Sequence, residues 1–351
     1  MARYLGGLTT TDESQVLPSD NYESTSGNAV FTSDEQFLLN KSNRWPTAGN
    51  AFQRAIFAGG NYTNPIEYVD ISTLGNAVDF GDLSSTMHGG AGCASNTRGL
   101  IAGGLNVSSS DLNNIDYITI ASTGNATDFG DLTQARWTLG SCSSSTRGLW
   151  AGGYHSNSTE VNTIDYVTIA STGNAQDFGD LTIVCRMLAG CASPTRGIFG
   201  GGDSNVGAED TISYVTIAST GNATDFGNLA ITQYGESSGY RRDIAALSSN
   251  TRGVFGGGYN SDGYYNVMDY ITIASTGNTT DFGDLLENNY RMAGTSGSTR
   301  GLFGGGIVGG YDKNVIQYIT IASTGNSQDF GDLLDDRPYL AACSNVHGGI
   351  S

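Results

Sequence analysis

Hydrophobic and polar positions alternate in short runs, and the runs recur at a fixed interval. The clearest is Ile164-Asp165-Tyr166-Val167-Thr168-Ile169, which alternates with period two and is rich in β-branched residues, the pattern of a half-buried strand. Ser171-Thr172-Gly173-Asn174 then supplies a turn, and Asp177-Phe178-Gly179-Asp180-Leu181 a second short strand. Upstream stands Thr146-Arg147-Gly148-Leu149-Trp150-Ala151-Gly152-Gly153, an apolar run closed by two glycines, and before it a small-residue run at 137–143. The tyrosine recurs at Tyr68, Tyr117, Tyr166, Tyr214, Tyr270 and Tyr318, at intervals of 49, 49, 48, 56 and 48. The phenylalanine recurs with it at Phe80, Phe129, Phe178, Phe226, Phe282 and Phe330. Four short strands per unit at a period near fifty residues are the signature of a propeller blade. The fold class expected is therefore all-β, a β-propeller over residues 44–351.

Counting the pieces sets the number of blades. The third and fourth strands occur six times. The first two occur seven times if Val346-His347-Gly348-Gly349-Ile350 is taken as a seventh second strand. A half-blade would leave an unpaired edge, which proteins avoid, and Tyr22 to Phe31 weakly echoes the third and fourth strands. Seven blades are the preferred expectation, the last built from both termini; six blades plus a docked hairpin is the alternative. Residues 1–43 form a separate N-terminal segment. Within it Ser33-Asp34-Glu35-Gln36 carries a capping-box signal and Pro46 stops continuation, so one short helix is expected at 33–41.

The bulk composition narrows the partners. Gly makes up 51 of 351 residues and charged residues only 14%, with a net charge of −18. A field of that sign repels phosphate backbones and anionic lipid, so no nucleic acid and no membrane insertion are expected. No apolar stretch reaches membrane-helix length and the N-terminus lacks a signal-peptide core, so secretion by the usual route is not expected. Of the five cysteines, Cys93, Cys142 and Cys191 fall at one repeat position and Cys343 in the matching C-terminal segment, with Cys185 apart. They read as buried small apolar residues rather than disulfides or zinc ligands.

The glycine pair ending the second strand, followed by a tyrosine-bearing third strand, resembles the kelch or galactose-oxidase type of propeller, though without the tryptophan that usually follows the tyrosine. The wording Ile-Asp-Tyr-Ile-Thr-Ile-Ala-Ser-Thr-Gly-Asn-Ala-Thr-Asp-Phe-Gly-Asp-Leu is similar to repeats in virion proteins of marine tailed bacteriophages, cyanophages especially. Arg3-Tyr4-Leu5-Gly6-Gly7-Leu8-Thr9 and Gly27-Asn28-Ala29-Val30-Phe31 through Trp45-Pro46 look like the leader of such tail and fibre-associated proteins. The resemblance implies a structural virion protein, located in the phage particle, docked through residues 1–43, oligomeric there, and in contact with other virion proteins and a host surface glycan. A capsid decoration protein and a secreted carbohydrate-active propeller enzyme are the alternatives.

Motifs that suggest chemistry dissolve on inspection. Asp-Phe-Gly lacks every other kinase element, and pairs such as Asp177 and Asp180 lack the ligand density of a calcium loop. The three histidines, His88, His155 and His347, share no ligand-like spacing, so copper chemistry of the galactose-oxidase kind is not expected. The repeat arginines, one per blade, suggest pairing between blades with the abundant aspartates. No catalytic residue, metal or cofactor is expected, and the chain reads as a non-enzyme.

Variation between repeats is the remaining signal. The connections from strand one to two and from three to four are nearly constant; those from two to three and from four to the next blade vary, and in a propeller both variable sets emerge on one face. The interval from Phe226 to Arg252 is eight residues longer than its equivalents. The extra residues and the neighbouring loops carry Tyr234, Tyr240, Arg241, Arg242, Tyr259, Tyr264, Tyr265, Tyr290, Arg291 and Tyr311. Tyrosine and arginine among Ser, Gly and Asn is a paratope's composition, and drift in tolerant loops produces the same composition. These ten residues form the expected binding surface.

Overall fold

The computed structural model describes residues 53–155, 159–229 and 239–350, all within the unit Gln53–Ser351. The N-terminal segment, its expected helix at 33–41, residues 44–52 and Tyr234 lie outside the described residues. Among the described residues every regular element is a strand, and the repeats form a β-propeller of six blades, each a four-stranded antiparallel sheet. Blade 3 is representative. Gly140–Ser143 lies innermost, then Arg147–Ala151, Thr163–Thr168 and, outermost, Gln176–Asp180.

The preferred count of seven blades is corrected to six. Ala341–Ser344 pairs antiparallel with Arg54–Ala58 and is the innermost strand of blade 1. The C-terminal strand therefore completes the first blade, and no half-blade remains. The six inner strands pack side by side in a closed circle. Residues 346–350, expected as a seventh second strand, instead lie across one mouth of the central channel. His347 Nε2 stands 2.9 Å from Ala94 O and 3.0 Å from Ser143 Oγ, while Gly348 N donates to Ser248 O at 3.1 Å. These contacts reach blades 2, 3 and 5.

Each second strand reads apolar without alternation because it is buried on both faces. The core is not one mass but six wedges, each shared by two adjacent blades. Ile56, Ile66 and Phe80 of blade 1 pack with Ile101, Ile118 and Ile120 of blade 2 in one such wedge. The recurring tyrosine and phenylalanine meet edge to face inside each wedge, Tyr166 and Phe178 at 5.8 Å, the favoured geometry for an aromatic pair. All five cysteines are free and buried. Cys93 Sγ fills the space a Cβ would need at Gly148 in the next blade, 2.6 Å away, which explains the glycine after the repeat arginine.

The constant loops are constant because they join the blades. Asn174 Oδ1 accepts from Asp131 N at 3.1 Å, and Gly173 N donates to Phe129 O at 2.8 Å. The blades approach so closely there that a Cβ on Gly130, whose φ is +147°, would stand 2.5 Å from the Gly173 carbonyl. The repeat arginine does bridge to the next blade, but to a backbone carbonyl rather than to an aspartate. Arg147 Nη1 donates to Ile217 O at 2.9 Å while its guanidinium lies 4.9 Å over the Tyr166 ring. A neutral acceptor is available in every blade at the same place, so the contact repeats without a buried carboxylate.

The tail gives the fold a pH response. His347 Nδ1 accepts from Gly349 N at 3.1 Å, which leaves Nε2 to donate to Ala94 O. Burial lowers its pKa from 6.5 to about 4. Below pH 6.5 the unfolded chain takes up a proton that the folded chain refuses, so this contribution to stability falls as pH drops towards 4 and then levels off. Relative to His347→Gln, the parent is expected to lose stability across that window in chemical denaturation. A difference between the two that is the same at pH 7 and pH 4 contradicts the assignment.

Candidate functional site

The mouth opposite the tail is framed by the variable loops. Just before each inner strand stands a residue with a left-handed backbone: Gly89, Thr138, Met187, Asp243, Arg291 and Tyr339, with φ between 53° and 73°. For a residue with a Cβ this conformation costs about 1 kcal/mol or more. It persists here because each N–H donates to the carbonyl of the equivalent residue in the preceding blade, at 2.6–3.1 Å, and the six bonds close on themselves. This circle surrounds a cavity of about 80 Å³ lined by Thr138, Asp243, Arg291 and Tyr339 among others.

Outside the circle runs a collar of aromatic and guanidinium groups. Tyr62 stacks on His88 at 4.3 Å, and His88 meets Tyr339 at 4.2 Å. Trp137 stands between His88 and Tyr154, about 6 Å from each. Arg186 lies 4.6 Å over Tyr154 and donates to Asp203, which also receives Arg242 Nη1 at 2.6 Å. Arg242 lies 4.6 Å over Tyr259, Tyr259 meets Tyr290 at 5.0 Å, and Arg291 lies over both Tyr290 and Tyr339. The collar therefore closes around the mouth.

Its charges are fixed in place. Asp203 and Asp243 are buried, and Arg291 Nε reaches Asp243 Oδ2 at 2.9 Å. Burial, reinforced by the positive Arg291, lowers His88 to about 4, so its ring is a neutral aromatic plate at pH 7. Burial also pushes the Tyr339 phenol well above its ordinary value. Among the described residues no three His, Cys, Asp or Glu side chains gather as metal ligands do.

The sequence-selected residues divide into three groups. Tyr240, Tyr264 and Tyr311 are exposed on the variable face, Tyr311 by 75%. Arg242, Tyr259 and Arg291 are half-buried members of the collar, and Tyr290 is a buried one. Arg241 and Tyr265 are corrections, because both are interior. Arg241 is fully buried against Asp269, its Nη2 2.6 Å from Oδ1, and its Nη1 donates to Gly257 O. Tyr265 has its ring buried and its backbone bonded to Gly258 and Asn289; adjacent residues of an extended segment point to opposite sides, so Tyr264 faces out and Tyr265 in. Tyr62, His88, Trp137, Tyr154, Arg186 and Tyr339 lie outside the expected set, although His88, Trp137, Arg186, Arg242 and Tyr290 each stand three residues before an inner strand. Aligning the repeats on that position reveals the collar.

Exposure is unequal between the two faces. Tyr62, Val107, Val206, Tyr240, Tyr264 and Tyr311 are exposed apolar or aromatic side chains of the variable loops. The opposite face presents the Ser-Thr-Gly-Asn turns, the tail residues 345–350 and, in blade 1 alone, the exposed Leu74 and Val78. No protein-family model matches the sequence, and a search of curated proteins finds no significant match.

Proposed function

We propose that this chain is a non-enzymatic structural protein of a tailed-phage particle, tail- or fibre-associated, that uses the variable face of a kelch-like propeller to contact a neighbouring virion protein or the host surface. The inequality of the faces carries the binding part of this reading. The constant turns hold the blades together and repeat Ser-Thr-Gly-Asn in five blades, with Leu74 in the turn of the first. The variable face holds exposed tyrosines over a rigid collar, and aromatic and arginine side chains dominate interface energies. The phage setting is supported by the repeat wording and by the resemblance of residues 3–9 and 27–46 to phage leaders.

A double substitution, Tyr240→Ala with Tyr264→Ala, tests the face at two exposed side chains, of which Tyr264 stacks on Tyr290 of the collar at 4.9 Å; Tyr265 is left in place because it is buried. The melting temperature is expected to stay within a few degrees of the parent, and attachment to cells or to the neighbouring virion protein to weaken at least tenfold, about 1.4 kcal/mol. Particles purified from infected cells are expected to contain the chain by mass spectrometry. Absence of the chain from such particles contradicts the virion reading; unchanged attachment of the double variant contradicts the choice of face.

A further inference from the structure

We infer that the groove between the variable loops of blades 4 and 5 is a binding site for a neutral saccharide. The inference rests on the reading of the variable face as the working face and names the chemistry that one part of it recognises. The groove encloses about 590 Å³ and is lined by Val206 and Glu209 from one loop, Tyr240 and Arg242 from the next, and Asn260 and Asp262 from a third. That volume lies within the range of small-molecule clefts, about 300–1,000 Å³.

The lining matches the surface of a sugar. Tyr240 is 45% exposed, and an aromatic face with its negative quadrupole attracts the C–H edge of a pyranose ring. Around it stand acceptors with capacity left over. Glu209 Oε1 accepts from Ser204 Oγ at 2.5 Å, which leaves Oε2 for a ligand hydroxyl. The Asp262 carboxylate has no partner among the described residues, and its residue is exposed. These groups accept from hydroxyls at fixed positions, the way few polar groups orient a ligand in a cleft.

Tyr240 and Asp262 are held in place. Asn260 Nδ2 donates to Tyr240 O at 3.1 Å, and Asn260 Oδ1 accepts from Asp262 N at 2.8 Å. One side chain thus ties the tyrosine to the aspartate across the groove, and an ordered site loses less conformational entropy on binding.

Charge selects the class of sugar. Arg242 and Arg186 share Asp203, at 2.6 and 2.9 Å, and Arg186 also stands 3.6 Å from Glu160, so the two positive charges are answered by two carboxylates within the protein. Glu209 and Asp262 remain, in a chain of net charge −18. A uronate or sialylated glycan would meet like charge, whereas a neutral hexose would not. The single exposed ring and the Val206 methyls offer no deep apolar pocket to anchor a peptide side chain.

The test uses the full chain on an array of neutral glucan, galactan and mannan oligosaccharides beside uronate and sialylated oligomers and a Lys-rich peptide, with titration calorimetry on the best binder. At least one neutral oligosaccharide is expected to bind, and Tyr240→Ala and Asp262→Asn are each expected to weaken it tenfold or more at unchanged melting temperature. If Tyr240→Ala disturbs the fold, Asp262→Asn alone decides. Retention of no neutral oligosaccharide overturns the proposal, as does preference for the acidic oligomers or the peptide, or parent-like binding by the variants. The virion reading is judged separately by the presence of the chain in purified particles, so a chain that is present there and binds no sugar overturns the groove alone.

Discussion

Removing residues 341–351 is expected to abolish the closed ring. Ala341–Ser344 supplies the inner strand of blade 1 and pairs with Arg54–Ala58, so its loss leaves a strand edge with unpaired N–H and C=O groups at the centre of the molecule. The damage extends to both neighbours. Ser344 Oγ donates to Ser296 O in blade 6, and Cys343 Sγ packs at Gly99 in blade 2. Two of the six wedges also lose members, Ala341 and Cys343 from one and the partly buried Ala342 from the other. The truncated chain is expected to be aggregated or multimeric by size-exclusion chromatography. A truncated chain that stays monomeric with the parent's melting temperature contradicts closure by this strand.

The second large effect is expected at Arg241. Three blades bury an arginine four residues before the inner strand and pair it with a carboxylate of the third strand: Arg136 with Asp165, Arg241 with Asp269, Arg337 with Glu67. In blade 4 the same two positions hold Cys185 and Ser213, and in blade 6 Asn289 and Gln317. The first member keeps one duty in several blades, donation to the carbonyl of the first glycine in the pair: Cys185 to Gly201 O, Arg241 to Gly257 O, Asn289 to Gly305 O, Arg337 to Gly59 O. Charge is thus present at both positions or at neither in five blades. Arg241→Ala leaves Asp269 buried and is expected to cost about 3–5 kcal/mol in denaturant unfolding. Arg241→Cys with Asp269→Ser installs the blade 4 solution and is expected to recover most of that loss. If the double variant is no more stable than Arg241→Ala, the paired exchange of charge between blades has no energetic basis.

These two sites also mark what a linear reading can reach. The period, the four strands and the wedge-forming Tyr and Phe were legible because they repeat, and repetition reports strand spacing directly. Closure was not, because Val346 to Ile350 imitates a second strand in wording while the ring has no vacancy for one. Arg241 and Tyr265 looked like surface residues for a related reason. Arginine and tyrosine in a variable loop carry no mark of burial; the mark lies in the partner, Asp269, which only a comparison of blades brings into view. The collar was half visible, since Tyr259, Tyr290 and Arg291 cluster in sequence while Tyr62, His88, Trp137 and Tyr339 approach only through the closed ring.

The most direct measurement is a density map of the intact particle with the propeller fitted into it. Partner density is expected over the variable face around Tyr240, Tyr264 and Tyr311, or that face is expected to point outward from the particle surface. Partner density confined to the Ser-Thr-Gly-Asn turns and the plugged mouth, with the variable face turned to empty solvent inside the assembly, is the result that contradicts it.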